Sequence, residues 1–84
     1  MSQFHSSGDL AADRRYLWAE GSRAEGDWDA AAELFAQAVE LAPGWASGWY
    51  ALGDAQERLG RRDEARQAFD RCRGLDASDS LGAA

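Results

Sequence analysis

Apolar side chains recur along this chain at the three- and four-residue spacing that places them on one face of a helix. The longest such series follows Asp27 and runs through Trp28, Phe35 and Val39 to Leu41, with alanines between them. Aspartate is a residue type that caps helix N-termini, so Asp27 marks a helix start. The whole pattern predicts four helices, over residues 10–25, 28–41, 46–59 and 63–75.

The predicted helices are separated by residues that stop helices. Gly26 and Gly60 tolerate the backbone that commonly follows a helix, and the Pro43-Gly44 pair breaks the chain between the second and third helices. The last residues, 76–84, are small and polar, and we expect them to fray or to begin another helix. These stops divide the chain into a flexible leader at 1–8, units at 9–43 and 44–77, and a tail at 78–84.

The two units are near-copies of each other. A shift of 34 positions pairs Tyr16 with Tyr50, Gly26 with Gly60, Asp29 with Asp63, Ala31 with Ala65, Phe35 with Phe69, and Leu41 with Leu75. Two short antiparallel helices and their turns have this length. The shift therefore predicts a tandem array of helical hairpins that bury their apolar faces on one another.

Both units resemble the tetratricopeptide repeat, which places aromatic, Leu-Gly, Gly, Ala and Pro positions at fixed offsets. The residues that carry the resemblance are Trp49, Leu52-Gly53, Gly60, Ala65 and Phe69 in the second unit, and Gly26-Asp27-Trp28, Ala31, Phe35, Ala38 and Pro43 in the first. The first unit departs from the pattern at Arg15 and at Trp18-Ala19. The resemblance implies an all-α fold, an α-α superhelix or solenoid of two repeats with four antiparallel helices and short flexible termini.

The net charge of the chain limits the kinds of molecule that it is expected to bind. The 84 residues carry fifteen acids, nine arginines and no lysine, which gives a net charge of −6. Eight acids and three arginines fall within 1–43, so the negative charge lies mainly on the first unit. A phosphate backbone is repelled by such a chain unless the arginines share one face. We therefore expect no nucleic-acid partner.

Other functional classes lack the residues that they need. No apolar run approaches the roughly 20 residues that cross a bilayer, and the leader has no secretory pattern, so we expect a cytoplasmic protein without membrane contact. Cys72 has no Cys or His near it in sequence, and His5 has no acid or nucleophile beside it. No strand precedes a glycine-rich nucleotide loop. We expect no metal site, no cofactor and no catalytic residue.

The resemblance also implies where a partner binds, because the first helix of each tetratricopeptide hairpin lines a concave face. The positions carried over bear tyrosines beside carboxylates, which suits stacking and pairing with a basic or aromatic segment of a protein or peptide. The predicted partner-binding residues are Tyr16, Glu20, Arg23, Tyr50, Asp54, Glu57 and Trp45. The alternative is a solvated acidic face in which Asp54 supports Arg58 one helical turn away.

The tryptophans divide into two groups. Trp45 lies in the turn between the units, where it either packs over the junction or projects as an anchor for a partner. Trp18, Trp28 and Trp49 are predicted to be core residues.

Two differences between the units bear on the length of the array. Ala32 and Val39 of the first unit become Arg66 and Arg73 in the second. Those positions usually accept the following repeat, so charge there predicts that the array stops at two units. Most arginines of the second unit are expected to be neutralised by acids near them in sequence.

A weaker resemblance covers the ends of the chain. Phe-His-Ser-Ser-Gly-Asp-Leu at 4–10 and Asp-Ser-Leu-Gly-Ala-Ala at 79–84 are similar to the region of bacterial methyltransferases that carries tetratricopeptide repeats ahead of an S-adenosylmethionine-binding domain. Three hypotheses are therefore open. The chain is a module that binds another protein, a non-catalytic methyltransferase region that positions substrate or mediates self-association, or a homodimer built on a small core.

Overall fold

The computed structural model describes residues 6–83 and the side-chain environments of residues 6–75. This part of the chain has four helices and no strand: α1 at Leu10–Ala24, α2 at Trp28–Leu41, α3 at Ala46–Arg58 and α4 at Arg62–Ala83. Each helix packs on the next one along the chain. The predicted all-α stack of two helical hairpins is confirmed.

The fourth helix is longer than predicted. We expected it to end at Leu75, whereas α4 continues to Ala83, across the predicted boundary between the second unit and the tail. The second helix ends at Leu41 because the Pro43-Gly44 pair follows it. The corresponding pair 34 positions later is Ala77-Ser78, which does not break a helix.

Aspartates begin both helices of the first hairpin. The Asp9 carboxylate accepts hydrogen bonds from the backbone N–H groups of Ala11 at 2.9 Å and Ala12 at 3.1 Å. The Asp27 carboxylate accepts one from the N–H of Ala30 at 3.2 Å. These bonds satisfy donors that have no partner inside the helix. The predicted capping role of Asp27 is confirmed.

Each hairpin turns at a glycine in the left-handed conformation, with φ of 81° at both Gly26 and Gly60. In both turns the glycine N–H donates to the carbonyl three residues earlier, and the next N–H donates to the carbonyl five residues before it, at 2.9–3.0 Å. This pair of bonds is the Schellman motif, and it caps the last turns of α1 and α3.

The core is built mainly from small residues around Phe35, which is fully buried. Helices approach so closely that a Cβ at Gly53 would lie 2.7 Å from the Phe69 ring, and a Cβ at Gly48 would lie 2.9 Å from Val39. Small residues therefore set the spacing between helices. The main buried cluster contains Ala19, Ala31, Ala32, Phe35, Val39, Ala51, Leu52, Ala55 and Ala68.

The prediction that Trp18 is a core residue is wrong, because its side chain is 56% exposed. Trp18 precedes Leu52 by 34 positions, and Leu52 is buried where α3 lies on the first hairpin. No described helix lies ahead of α1 to cover Trp18 in the same way. Trp28 and Trp49 are partly buried against the main cluster.

Part of the predicted flexible leader is held against α1. The Ser6 hydroxyl donates to Asp13 Oδ2 at 2.6 Å, and Ser7 donates to Oδ1 through its N–H at 2.9 Å and its hydroxyl at 2.8 Å. These hydrogen bonds, that of Ser6 first, lower the pKa of Asp13. Ser6 and Ser7 of the predicted leader are therefore hydrogen-bonded to α1, and residues 1–5, with His5, lie outside the described residues.

Candidate interaction site

Tyr16 lies on α1 at the centre of the predicted concave face. Its half-buried ring meets Phe35 edge-on with ring centroids 5.2 Å apart, and it packs at a tilt against Trp45 at 4.7 Å. Desolvation raises the pKa of Tyr16, the charge of Glu20 adds to this effect, and the charge of Arg23 opposes it. The surrounding rings therefore hold a neutral phenol beside Glu20.

An ion pair lies next to Tyr16 on the same helix. Arg23 Nη2 donates to Glu20 Oε1 at 2.6 Å. This hydrogen bond is the main reason that the pKa of Arg23 is raised, and the charge of Asp54 on α3 contributes. The structure therefore brings four predicted site residues, Tyr16, Glu20, Arg23 and Asp54, into one electrostatic group.

Tyr50 is the aromatic residue among the predicted site residues on α3, and its ring is open to a partner. Its side chain is 61% exposed, and its ring lies 5.5 Å from that of Phe69. A depression of about 300 Å³ runs between Tyr50 and Tyr16, with Ser47 in its lining. The two tyrosines predicted from the 34-residue shift therefore share one surface.

Glu57 does not line that depression. It lies with Tyr50 at a larger cavity of about 610 Å³ beside α3 and α4, which three arginines also line, Arg62, Arg66 and Arg73. Sequence reasoning assigned Glu57 to the acidic face and the arginines to the end of the array, and it missed that they meet. The spacing of Arg66 and Arg73, seven residues or about two helical turns, was the signal available.

Local neutralisation of the arginines is less complete than expected. Arg73 pairs with Asp70, and Arg61 pairs with Asp29 of α2 at 3.2 Å. Arg66 has no ion pair within residues 6–75. The second unit therefore keeps unneutralised positive charge in a chain that is acidic overall.

Two arginines of the second unit stack on tryptophans instead of pairing with acids. The Arg58 guanidinium lies 5.0 Å from the centroid of Trp28, and that of Arg71 lies 5.1 Å from the centroid of Trp49. Asp54 and Arg58 form no ion pair within residues 6–75, and the charge of Asp54 contributes to the raised pKa of Arg23.

Trp45 is buried and does not offer an anchor to a partner. Its side chain is 7% exposed, and its ring contacts Tyr16. A Cβ at Gly48 would lie 3.1 Å from the Trp45 ring, which indicates how tightly the indole is enclosed. Of the two alternatives, packing over the junction is the one observed, and the prediction that Trp45 is a partner-binding residue is wrong.

The repeat geometry can be compared with known families. The sequence profile of the tetratricopeptide repeat matches residues 22–84. The chain belongs to the tetratricopeptide repeat family. The match begins inside α1, after the positions Arg15 and Trp18-Ala19 at which the first unit departs from the repeat pattern. No curated protein matches the chain.

Tetratricopeptide repeats generally bind proteins or peptides, and they are generally non-catalytic. Within residues 6–83 no helix has the length and apolar content that a membrane crossing needs. No three metal-ligating side chains converge in the described part of the chain. The cytoplasmic location and the methyltransferase resemblance stay predictions.

Proposed function

We propose that this tetratricopeptide module binds a basic or aromatic segment of another protein across the tyrosine face, defined as Tyr16, Glu20, Tyr50 and Asp54. The observation that carries the proposal is the Tyr50 ring, 61% exposed at the rim of the depression that it shares with Tyr16. Exposed aromatic rings beside a preformed depression commonly anchor partners.

The charges on the tyrosine face favour a basic partner. Glu20 and Asp54 carry two negative charges, against the single positive charge of Arg23. An Arg or Lys of the partner pairs with Asp54 without displacing Arg23 from Glu20. Salt is expected to weaken the complex, because exposed charges are screened at high ionic strength.

The rigidity of Tyr16 supports the same proposal. Contacts with Phe35 and Trp45 fix its ring before any partner arrives. A side chain that is already ordered loses little conformational entropy on binding, so more of the contact energy appears as affinity. Tyr50 supplies the exposed half of the face and Tyr16 the half-buried one.

Self-association is a second candidate, favoured by a different surface. Leu10, Leu17 and Trp18 on α1 are 72%, 57% and 56% exposed. Neighbouring exposed apolar side chains of this size favour association. Light scattering over a range of concentrations measures it, and Trp18→Ser should keep the protein monomeric if this patch is the interface. No observation in the structure favours the methyltransferase hypothesis over these two.

The test of the tyrosine face begins with a selection of short displayed random peptides on the purified chain. We expect the selected peptides to be enriched in Arg, Lys and aromatic residues. A Glu20→Gln/Asp54→Asn variant, and separately Tyr50→Ala, should weaken a selected peptide about tenfold or more, since each removes a charge-assisted or aromatic anchor. Titration calorimetry at two salt concentrations measures the loss.

The matched control changes the same charges elsewhere. Glu33→Gln/Glu40→Gln neutralises two exposed carboxylates of α2 that lie outside the tyrosine face, and it should leave affinity unchanged. Selection of acidic peptides, or equal binding by wild type and the Glu20→Gln/Asp54→Asn variant, contradicts the proposal.

A further inference from the structure

The larger cavity at the end of the second repeat adjoins the tyrosine face, with which it shares Tyr50. We name it the arginine groove, and it is lined by Ala65, Arg66, Phe69, Cys72 and Arg73 of α4 with Tyr50 at its edge. Ala65 is 3% exposed and Cys72 is 9% exposed, so the floor of the groove is apolar and packed. The guanidinium groups stand around this floor.

The same surface of the first repeat is covered by a helix. Shifted back by 34 positions, Phe69, Arg66 and Arg73 correspond to Phe35, Ala32 and Val39, which are buried. The helix α3 lies over them so closely that a Cβ at Gly48 would be 2.9 Å from Val39 Cγ1. The arginine groove therefore corresponds to the surface on which a helix packs in the first repeat. Its floor is apolar in both repeats, and two of its contact positions are arginines in the second.

The charged residues that line this groove indicate that its occupant differs from an ordinary following repeat. Arg62, Arg66 and Arg73 line the cavity, with Glu57 as the single acid among its lining residues. Arg73 has Asp70 as a partner, and Arg66 has no ion pair within residues 6–75. An apolar floor between Arg66, which has no such pair, and the partly neutralised Arg73 is complementary to an apolar helix face flanked by carboxylates.

We propose that the arginine groove binds an acidic amphipathic helix of another protein in the pose that α3 takes on α2. Arg66 and Arg73 are seven residues apart, two turns along one face of α4. If the partner helix takes the place of α3, two of its positions face these arginines. In α3, which runs antiparallel to α2, those two positions are Gly48, opposite Val39, and Ala55, two turns further along. The partner helix therefore carries two carboxylates seven residues apart, with small or apolar residues between them.

A second copy of this chain does not fit that pose. Head-to-tail stacking in the repeat register puts Arg14 in the place of Gly48, because the two are 34 positions apart. Arg14 of one copy would then face Arg73 of the other, where Gly48 lies on Val39 within one chain. Like charges at close contact disfavour this stacking. The same arginines that attract an acidic helix therefore resist polymerisation of the module.

Within residues 6–83 no helix after α4 folds back over the groove as α3 does over α2. The chain turns between α2 and α3 at Pro43-Gly44, whereas α4 passes through the corresponding positions as helix and reaches Ala83. A separate polypeptide is therefore the occupant that the geometry favours.

The test uses two blocked helical peptides of about 16 residues, a length at which an alanine-rich helix is marginally stable in water. One peptide carries glutamates seven residues apart with an Ala-Leu pair midway, which copies the spacing of Gly48, Ala51, Leu52 and Ala55. The other has glutamine at both positions. We expect the glutamate peptide to bind the full chain about tenfold more tightly than the glutamine peptide.

Charge reversal locates the site. Arg66→Glu/Arg73→Glu should reverse the preference, so that a peptide with lysines in place of the glutamates binds best. Arg71→Glu is the control, because it reverses one arginine of α4 beside Trp49 and away from the groove. It should keep the preference for the glutamate peptide, with circular dichroism confirming that each variant is folded.

The inference is overturned by no binding of the glutamate peptide, by equal binding of the glutamate and glutamine peptides, or by an unchanged preference in Arg66→Glu/Arg73→Glu. The tyrosine face is tested apart from the groove by Glu20→Gln/Asp54→Asn. Loss of glutamate-peptide binding in that variant would place the peptide on the tyrosine face and would also contradict the groove.

Discussion

A residue type that recurs at the same position of both repeats can be buried to different extents in the two. Tyr16 is half-buried under Trp45, whereas Tyr50, 34 positions later, is 61% exposed. The difference arises because α3 and its preceding turn cover the first hairpin, and no described helix covers the second. Exposure of Tyr50 thus follows from the lack of a described helix over the second hairpin.

The phenol of Tyr16 is expected to ionise only above the usual pH range for tyrosine, because burial and the charge of Glu20 raise its pKa. Tyr50→Phe leaves Tyr16 as the single tyrosine, and ultraviolet absorbance of tyrosinate then follows its titration. In this background Glu20→Gln should lower the pKa of Tyr16 while burial keeps it above the ordinary value. An unchanged titration curve in Glu20→Gln would contradict the assigned causes.

The sign of the linked stability follows from the direction of the shift. Because the pKa of folded Tyr16 exceeds that of the unfolded chain, the neutral phenol contributes its full stabilisation below about pH 10. That contribution is lost as pH rises through the folded pKa. The free energy of unfolding in the Tyr50→Phe background should therefore fall in this alkaline range.

Gly53→Ala is expected to destabilise the fold. The added Cβ would lie 2.7 Å and 2.8 Å from two carbons of the Phe69 ring. Helix propensity favours alanine by about 1 kcal/mol, but overpacking a closed contact costs about 1–3 kcal/mol, so we expect a net loss of about 1 kcal/mol. Urea unfolding measures the change.

The control for this substitution is Gly21→Ala in α1, where nothing lies within 4 Å of the added Cβ. Propensity then acts alone, and we expect a gain of about 0.5–1 kcal/mol. Equal effects of the two substitutions would mean that the Gly53–Phe69 approach does not constrain the packing of α3 on α4.

Helix ends depend on signals within a few residues, and these signals act in the same way in both hairpins. Gly26 and Gly60 have the same φ of 81° and the same capping bonds. The exception is the end of α4, where the second repeat lacks the Pro43-Gly44 stop of the first. An element therefore ends where its own sequence stops it, even within a repeated unit.

The start of α1 is expected to loosen in acid. Hydrogen bonds from Ser6 and Ser7 lower the pKa of Asp13, so the stabilisation from its carboxylate is present above the unfolded pKa of about 4 and is lost as pH falls through the folded pKa. Carbon NMR of the Asp13 carboxyl measures its pKa, and the Ser7 amide shift reports the hydrogen bond to Oδ1. A Ser7 amide shift that does not follow the Asp13 titration would contradict this account.

The serine variants separate the causes of that shift. Ser6→Ala removes the largest of them, so the pKa of Asp13 should move towards its ordinary value and the loosening should begin at higher pH. Ser80→Ala lies far along the chain in α4 and serves as the control, with no expected change at Asp13.

At the scale of the whole molecule, the two ends of the array differ in the surfaces that they leave open. The α1 end exposes Leu17 and Trp18, and the α4 end presents the arginine groove. The first repeat joins the second through a glycine and a valine in contact, Gly48 and Val39. The second repeat has Arg73 in the place of that valine, and this difference is the basis of the prediction that the array stops at two units.

A third consensus repeat fused after Leu75 is therefore not expected to raise the melting temperature above that of the chain ending at Leu75. The same fusion to Arg66→Ala/Arg73→Val, which restores the residues of the first repeat, should raise it by about 5 °C, because about 1 kcal/mol of new packing shifts a small domain by that amount. Calorimetry measures both. A clear rise in the fusion without these substitutions would contradict the assigned end of the array.

Much of the fold could be read from residues that act locally. The Asp27 cap, the Gly26 and Gly60 turns and the Pro43-Gly44 break predicted the ends of three helices within one residue. The continuation of α4 was missed because residues 76–84 are small and polar and were expected to fray or to begin another helix, although no Pro-Gly pair stops α4 there. The candidate site was harder, since Glu57 faces the groove and not the tyrosine face.

The sequence alone determined the period of 34 residues, the apolar face of each helix and the helix starts and turns, because these depend on neighbours within one or two turns of chain. The tertiary structure alone decided which copy of each repeated residue is covered. Trp45 is buried, Trp18 and Tyr50 are exposed, and Arg66 lies beside an open apolar floor. Exposure depends on whether another helix lies over a position, and that is a property of the stack and not of the residue.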